Sequence, residues 1–214
     1  SLLYFCEEKP VEIRNIRQVV GLDFSMKELY VDSNGKHADY PHYFRNSEEK
    51  LAKAQRKLSH CRKESNRYKK QQKKVARLHT HIAHQRKDHL HKESRKITNF
   101  YDIVCIEDLD LKTMSGEHHF GKSVHDNGWR MFTDFLQYKL EREGKKLVRI
   151  DRWYPSSRTC SCCGKIKHDL KLEERVYLCS CGNRMDRDEN AAINICREGL
   201  RISGIILEKS EKAS

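Results

Sequence analysis

Apolar residues in this 214-residue chain gather into short solid runs, separated by long stretches in which they are sparse. Gln18-Val-Val-Gly-Leu-Asp-Phe24 is one such run with a polar end, the pattern of a strand covered on both faces. Glu28-Leu-Tyr-Val-Asp32 and Lys36 to Tyr40 flank Ser33-Asn34-Gly35, and an Asn-Gly pair in that setting predicts a hairpin. Tyr101-Asp-Ile-Val-Cys-Ile-Glu107 and Leu147-Val-Arg-Ile150 read as two further strands. Ser47, followed by Glu48 and Glu49, has the chemistry of a helix start. Beyond it the apolar positions thin out to Leu51, Ala54 and Leu58, then Val75, Leu78 and Ile82. Two antiparallel helical arms, broken near Glu64-Ser-Asn-Arg67, are expected to bury only a narrow stripe. Trp129, Phe132, Leu136 and Leu140 recur at helical spacing within a helix over Asp126–Glu143, which Gly144 closes. Asp110 to Val124 reads as a loop, Asp188 to Arg197 as a last helix, and Glu208 to Ser214 as a frayed tail.

The order is three strands, helices, strand, helix, strand, helix. It predicts an α/β fold on a sheet of mixed strand direction. That order matches the ribonuclease H-like plan, with two insertions: a basic helical hairpin and a small cysteine module.

Charge adds a partner to this picture. The formal net charge is +12, from 43 basic and 31 acidic residues. Between Arg45 and Lys96 stand 18 basic and 5 acidic residues, a net +13 that leaves the remainder near neutral. One segment carries the polyanion-binding charge, and DNA or RNA is its natural partner. A solvated hairpin with solubilising lysines is the plainer alternative. No run of eighteen apolar residues is present, so no membrane-spanning helix is expected. SLLYFCEEKP lacks the basic start and cleavage site of a signal peptide. Of nine cysteines, four cluster at metal-ligand spacing while Cys6, Cys61, Cys105 and Cys196 are scattered, which suits a reducing cytosol.

Three acids stand where an element begins or ends: Asp23 on the first strand, Glu107 closing a later one, and Asp188 opening the final helix. One such acid alone is ordinarily a solvated turn residue or a cap. Three of them in this order point to a site for divalent cations, Mg2+ or Mn2+, that generate a hydroxide and stabilise the leaving oxygen in phosphodiester cleavage. Asp108 competes with Glu107, although strand alternation puts the two on opposite faces. Asp186 competes with Asp188 and reads better as a cap.

Cys160-x-x-Cys163-Gly164 and Cys179-Ser-Cys181-Gly182 offer four thiolates for a structural, tetrahedral Zn2+, the second pair one residue shorter than usual. The glycines suit tight turns that aim N–H groups at sulfur. Cys162 reads as a bystander and His168 as a weaker ligand. His79, His81, His84, His89 and His91 lack two good i, i+4 pairs and read as supplementary phosphate contacts. Trp153 and Tyr154 stay open between base stacking and the core.

GLDFSMKELYVDSNGK, QRKDHLHKESRKI, VCIEDLDLKTMS, FGKSVHDNGWRMF and WYPSSRTCSCCG through DRDENAAINI, in that order, resemble the C-terminal half of the transposon-encoded TnpB (OrfB) nucleases, relatives of type V CRISPR effectors. The resemblance implies a RuvC-like domain with an inserted zinc ribbon, cutting DNA under a transposon-derived guide RNA in the bacterial cytoplasm, at the nucleoid. It carries over Asp23, Glu107 and Asp188 as the catalytic, Mg2+- or Mn2+-binding residues. Cys160, Cys163, Cys179 and Cys181 become the ligands of structural Zn2+. The basic arms would lie along the guide RNA–DNA heteroduplex and hold its backbone. The implied divisions are a remnant of an upstream domain over 1–15, a RuvC-like core over 16–155 with the hairpin at about 46–98, a zinc ribbon over 156–185, a final core helix over 186–200 and a tail over 201–214. The family's upstream wedge and recognition domains are almost wholly missing from this stretch, so guided targeting by it alone is not expected. Two other readings are a non-cleaving nucleic-acid-binding regulator of the same family and a guide-independent ribonuclease H-like nuclease. Loss of one acid would favour the regulator, and all three acids are present.

Overall fold

The computed structural model describes residues 16–110, 128–171 and 173–205. The segment 1–15 with Cys6, the loop expected from residue 111 to Val124, the expected helix start at Asp126 and the tail beyond 205 lie outside the described residues. The elements are β1 (Val19–Phe24), β2 (Tyr30–Asp32), α1 (Tyr43–Ser59), α2 (Asn66–Phe100), β3 (Ile103–Glu107), α3 (Trp129–Arg142), β4 (Lys146–Ile150), β5 (Val176–Leu178), β6 (Arg184–Asp186) and α4 (Arg187–Ile202). No helix among the described residues is long and apolar enough to cross a membrane.

The main sheet has the order β2-β1-β3-β4. β1 is antiparallel to β2 and parallel to β3, and β3 is parallel to β4. This is the mixed α/β sheet that the element order predicts. Alternate residues of each strand face opposite layers. Val20, Leu22, Val104, Ile106 and Leu147 join Leu90 and Ile97 of α2 and Phe132, Leu136 and Leu140 of α3 in one core. Ile103, Cys105, Val148 and Ile150 meet Ile195 of α4 on the other side. A sheet covered on both faces needs solid apolar strands, which is why these runs stand out in the sequence.

The Asn-Gly hairpin forms. Gly35 takes φ 75, Asp32 Oδ1 accepts from the N–H groups of Asn34 and Lys36, and the return arm meets β2 at an isolated Val31–His37 bridge.

The first helix starts four residues before Ser47. His42 precedes it in the left-handed region, φ 49, without a side-chain cap, and its Nε2 donates to Lys27 O at 2.8 Å. Tyr43 packs edge-on against Tyr40 and His89, with centroids 6.1 and 5.9 Å apart. Those ring contacts outweigh the capping chemistry of Ser47, which is worth about 1 kcal/mol.

The break between the arms holds, with α1 ending at Ser59 and Ser65 capping α2 by accepting from Tyr68 N at 3.1 Å. α2 is 35 residues long, about 52 Å at the α-helical rise. Its early turns lie against α1, where Gln71 Nε2 donates to Ala54 O at 2.9 Å. Its last third does not project. Leu90, Glu93, Ser94, Ile97 and Thr98 are buried, and Lys139 Nζ of α3 reaches Ser94 Oγ at 2.7 Å. The hairpin expected over 46–98 is thus part arm and part core.

Candidate active site

β1 and β3, the two central strands, deliver two acids to one end of the sheet. Leu22 lies opposite Ile106 in the parallel register, so Asp23 and Glu107 share the next row, at the carboxyl ends of their strands and on the face that α4 covers. Asp188 stands in the first turn of α4. Acids from three distant parts of the chain are thus brought near one another, with Asp23 in electrostatic reach of both Glu107 and Asp188.

This proximity depends on how closely α4 approaches. A Cβ at Gly21 would stand 2.1 Å from Ala192 O and 2.7 Å from Cys196 N, and one at Gly199 would stand 2.4 Å from Cys105 Sγ. The two glycines, with buried Ala191 and Ala192, let the helix lie directly on the strands.

Asp23 is the acid that feels the other two. Burial, and then the charges of Glu107 and Asp188, holds Asp23 well above the usual carboxylate range, against a smaller pull from Arg187. Burial also raises Glu107, opposed by the Ser156 hydroxyl, which donates to Glu107 Oε1. Asp188 is raised by burial and by Asp186, with Arg187 and Arg175 opposing. Both guanidinium groups stop 3.9 Å from its carboxylate. Three acids raised together mark a site short of positive charge. Carboxylate oxygens are the ligand type of a hard divalent cation such as Mg2+ or Mn2+, but among the described residues only the four module cysteines gather their ligand atoms within 4.8 Å of one another.

The competing acids are engaged elsewhere. Asp186 Oδ1 accepts from the N–H groups of Asp188 and Glu189 at 2.8 and 3.2 Å, capping α4. Asp108 accepts from Arg152 at 3.3 Å.

The cysteine module sits on the same helix. β5 and β6 pair antiparallel, and the Sγ atoms of Cys160, Cys163, Cys179 and Cys181 all lie within 4.8 Å of one another. Cys160 and Cys181 approach to 3.7 Å, Cys163 and Cys179 to 3.6 Å. A thiolate tetrahedron with ~2.3 Å bonds has edges of about 3.8 Å. The shortened second pair still completes the set, with Gly182 turning the chain at φ 91. Burial pushes the Cys160 thiol up, but N–H groups of Cys163 and Cys162 and the Asn183 amide outweigh it and draw it down to about 6. Cys162 is exposed and outside the set, and His168 is not part of it.

Sequence reasoning missed the polar links between module and acids. Asn190 is fully buried, its Nδ2 donating to Thr159 O at 2.8 Å and its Oδ1 accepting from Ser161 N at 2.9 Å. One turn on, Asn194 Nδ2 donates to Ser156 O and Thr159 O at 2.8 and 2.6 Å. Ser156 in turn holds Glu107. A hydrogen-bonded chain thus joins the first cysteine pair, α4 and a candidate acid. The available signal was two asparagines four apart beside Ala191 and Ile195, on the apolar side of the helix.

The family model OrfB_IS605, a probable transposase, matches residues 4–117, more than half of the chain. The chain belongs to this family. It is a TnpB-type protein related to type V CRISPR effectors, and the Cas12f1-like TNB domain model matches its residues 129–195. A Streptomyces pristinaespiralis protein, provisionally named an RNA-guided DNA endonuclease, is 37% identical over 198 residues, which cover 92% of this chain and 49% of the relative. InsQ of Escherichia coli K12, named in the same provisional way, is 31% identical over 197 residues, covering 85% of this chain and 49% of the relative. This TnpB-type chain thus spans about half the length of the curated relatives it matches. The solved Cas12f1-sgRNA-target DNA complex aligns with a TM-score of 0.62 at 18% identity, over 87% of this chain and 51% of that one. The likeness shows a shared fold.

Proposed function

We propose that the chain is the cutting half of an RNA-guided DNA endonuclease, a RuvC-like domain with a zinc ribbon inserted before its last helix. One observation carries the reading: Asp23 and Glu107 at the carboxyl ends of the two central strands, with Asp188 close enough to act on Asp23, in a TnpB-type chain, each with its pKa raised. The names of the Streptomyces and Escherichia relatives support DNA as substrate and RNA as guide. In this reading the three acids would hold Mg2+ or Mn2+, and a cation held there would supply a hydroxide and charge stabilisation for the leaving oxygen of a phosphodiester. The chain's own part is positioning: two strands and a helix fix the acids, Ser156 orients Glu107, and Arg175 and Arg187 limit the repulsion at Asp188. The exposed cations of α1 and α2 suit the backbone of a guide RNA–DNA heteroduplex. Four thiolates leave a zinc ion no open position, so its role is to shape the module.

Cleavage of a single-stranded oligodeoxynucleotide in the presence of Mg2+ or Mn2+ tests the reading. The parent is expected to cut, and Glu107→Gln, which keeps the shape and removes the charge, is expected not to. Cutting by Glu107→Gln at the parental rate would sink the catalytic assignment, and an inert parent would count against the cutting role itself. Metal analysis is expected to find about one zinc per folded, reduced chain and near zero in Cys179→Ser. A zinc-free parent would remove the ribbon from the proposal.

A further inference from the structure

The chain has two tryptophans, in opposite environments. Trp129 is 3% exposed, whereas Trp153 is 85% exposed, the most of any large apolar side chain among the described residues. Indoles ordinarily bury most of their surface and dominate the energetics of the interfaces they join. Stacking and core packing are both open to Trp153 and Tyr154 from sequence, and the structure separates them. Tyr154 packs against the core on the α4 side, and Trp153 faces solvent.

The turn that presents Trp153 is tied down on both sides. Trp153 N donates to Asp151 Oδ1 at 2.7 Å, and Tyr154 N to Asp151 O at 3.1 Å. Before the indole, Arg152 pairs with Asp108 at 3.3 Å and Asp110 at 3.8 Å. After it, Ser156 donates to Glu107. Three residues of chain span at most about 11 Å, so the backbone of Trp153 lies no farther than that from Ser156, the residue that holds Glu107.

We propose that Trp153 is a base-stacking platform: an unpaired base of single-stranded DNA lies on its face while the neighbouring phosphodiester enters the acid cluster. The inference rests on the proposed function and adds to it where the substrate is held. Stacking on an aromatic face tolerates any base, which suits a cutting site that does not itself choose the sequence.

The experiment reads binding, not cutting. Iodide quenches the exposed indole and spares buried Trp129, so tryptophan fluorescence reports on Trp153. Without added divalent cation, a single-stranded oligodeoxynucleotide is expected to shield Trp153 from iodide. It is expected to bind Trp153→Ala on the order of tenfold more weakly than the parent, with Trp153→Phe between them. An abasic oligomer of the same length is expected to bind parent and Trp153→Ala alike. Equal binding of the base-bearing oligomer to parent and Trp153→Ala overturns the proposal, as does undiminished quenching in the complex. Weaker binding of both oligomers also overturns it, since a merely structural role would produce that. If Glu107→Gln stops cutting while Trp153→Ala binds normally, the proposed function stands without the platform. A loss of binding in Trp153→Ala confined to the base-bearing oligomer, in a chain that never cuts, leaves the platform standing without the cutting role.

Discussion

Asp23→Asn is expected to raise the melting temperature of the metal-free protein and, at the same time, to abolish cutting. Burial and two neighbouring acids raise the Asp23 pKa in the folded chain. The unfolded chain ionises this residue near pH 4. Its contribution to stability is therefore fully present below about pH 4 and is lost as pH rises through the higher folded value. At pH 7 the asparagine removes that loss, and each kcal/mol recovered is worth about 2 to 4 °C in a chain of this size. Below about pH 4 the two proteins should melt together. Mg2+ should raise the melting temperature of the parent and leave that of the variant nearly unchanged. Cutting should fall by on the order of a thousandfold, the scale seen when a group acting directly on transition-state charge is removed. Calorimetric melts with and without Mg2+, set beside cleavage rates, check both halves. A variant that cuts normally contradicts the catalytic role, and one that melts lower at pH 7 contradicts the electrostatic origin of the effect.

Gly21→Val is expected to cost about 3 kcal/mol or more, the upper end for overpacking a core. That corresponds to a fall in melting temperature of about 6 to 12 °C. The effect is steric, because Gly21 is not among the positive-φ glycines and its strand conformation is open to any residue. Its Cβ would stand 2.1 Å from the carbonyl oxygen of Ala192. Neither partner there is a flexible side chain that can turn away, so α4 must lift from β1 and carry Asp188 with it. The protein that remains folded should consequently cut poorly. Gly21→Ala should show a smaller fall of the same kind. If Gly21→Ala melts within about 1 °C of the parent, α4 does not lie on β1 as described.

The strands and the three acids were legible in the sequence for one reason. Buried parallel strands must be apolar on both faces, so Asp23 and Glu107 stand out as charges that VVGLDF and IVCIE would otherwise exclude. Asp188 and its cap Asp186 were legible because a helix start has its own chemistry. Contacts between distant segments were not legible. Glu93 looks like one more charge on a basic helix, yet it is buried because Tyr30 OH and Lys96 Nζ each donate to it at 2.8 Å. Tyr43 moves a helix start through rings that include one 46 positions away, on His89. Ser156 is an ordinary loop serine until the fold sets it beside Glu107. Gly21 reads as one more residue of a strand, and nothing local announces that the backbone of a helix presses against it.

Mn2+ titration of the chain at pH 7, repeated on single substitutions, tests the central claim most directly, because it needs neither guide nor substrate. The parent is expected to bind Mn2+. Asp23→Asn, Glu107→Gln and Asp188→Asn should each weaken that binding by about tenfold or more, since even residues that only support metal ligands cost that much. Asp108→Asn and Asp186→Asn should leave it nearly unchanged. Parental Mn2+ affinity in Asp188→Asn, or an equal loss in Asp108→Asn, would contradict the three-acid site.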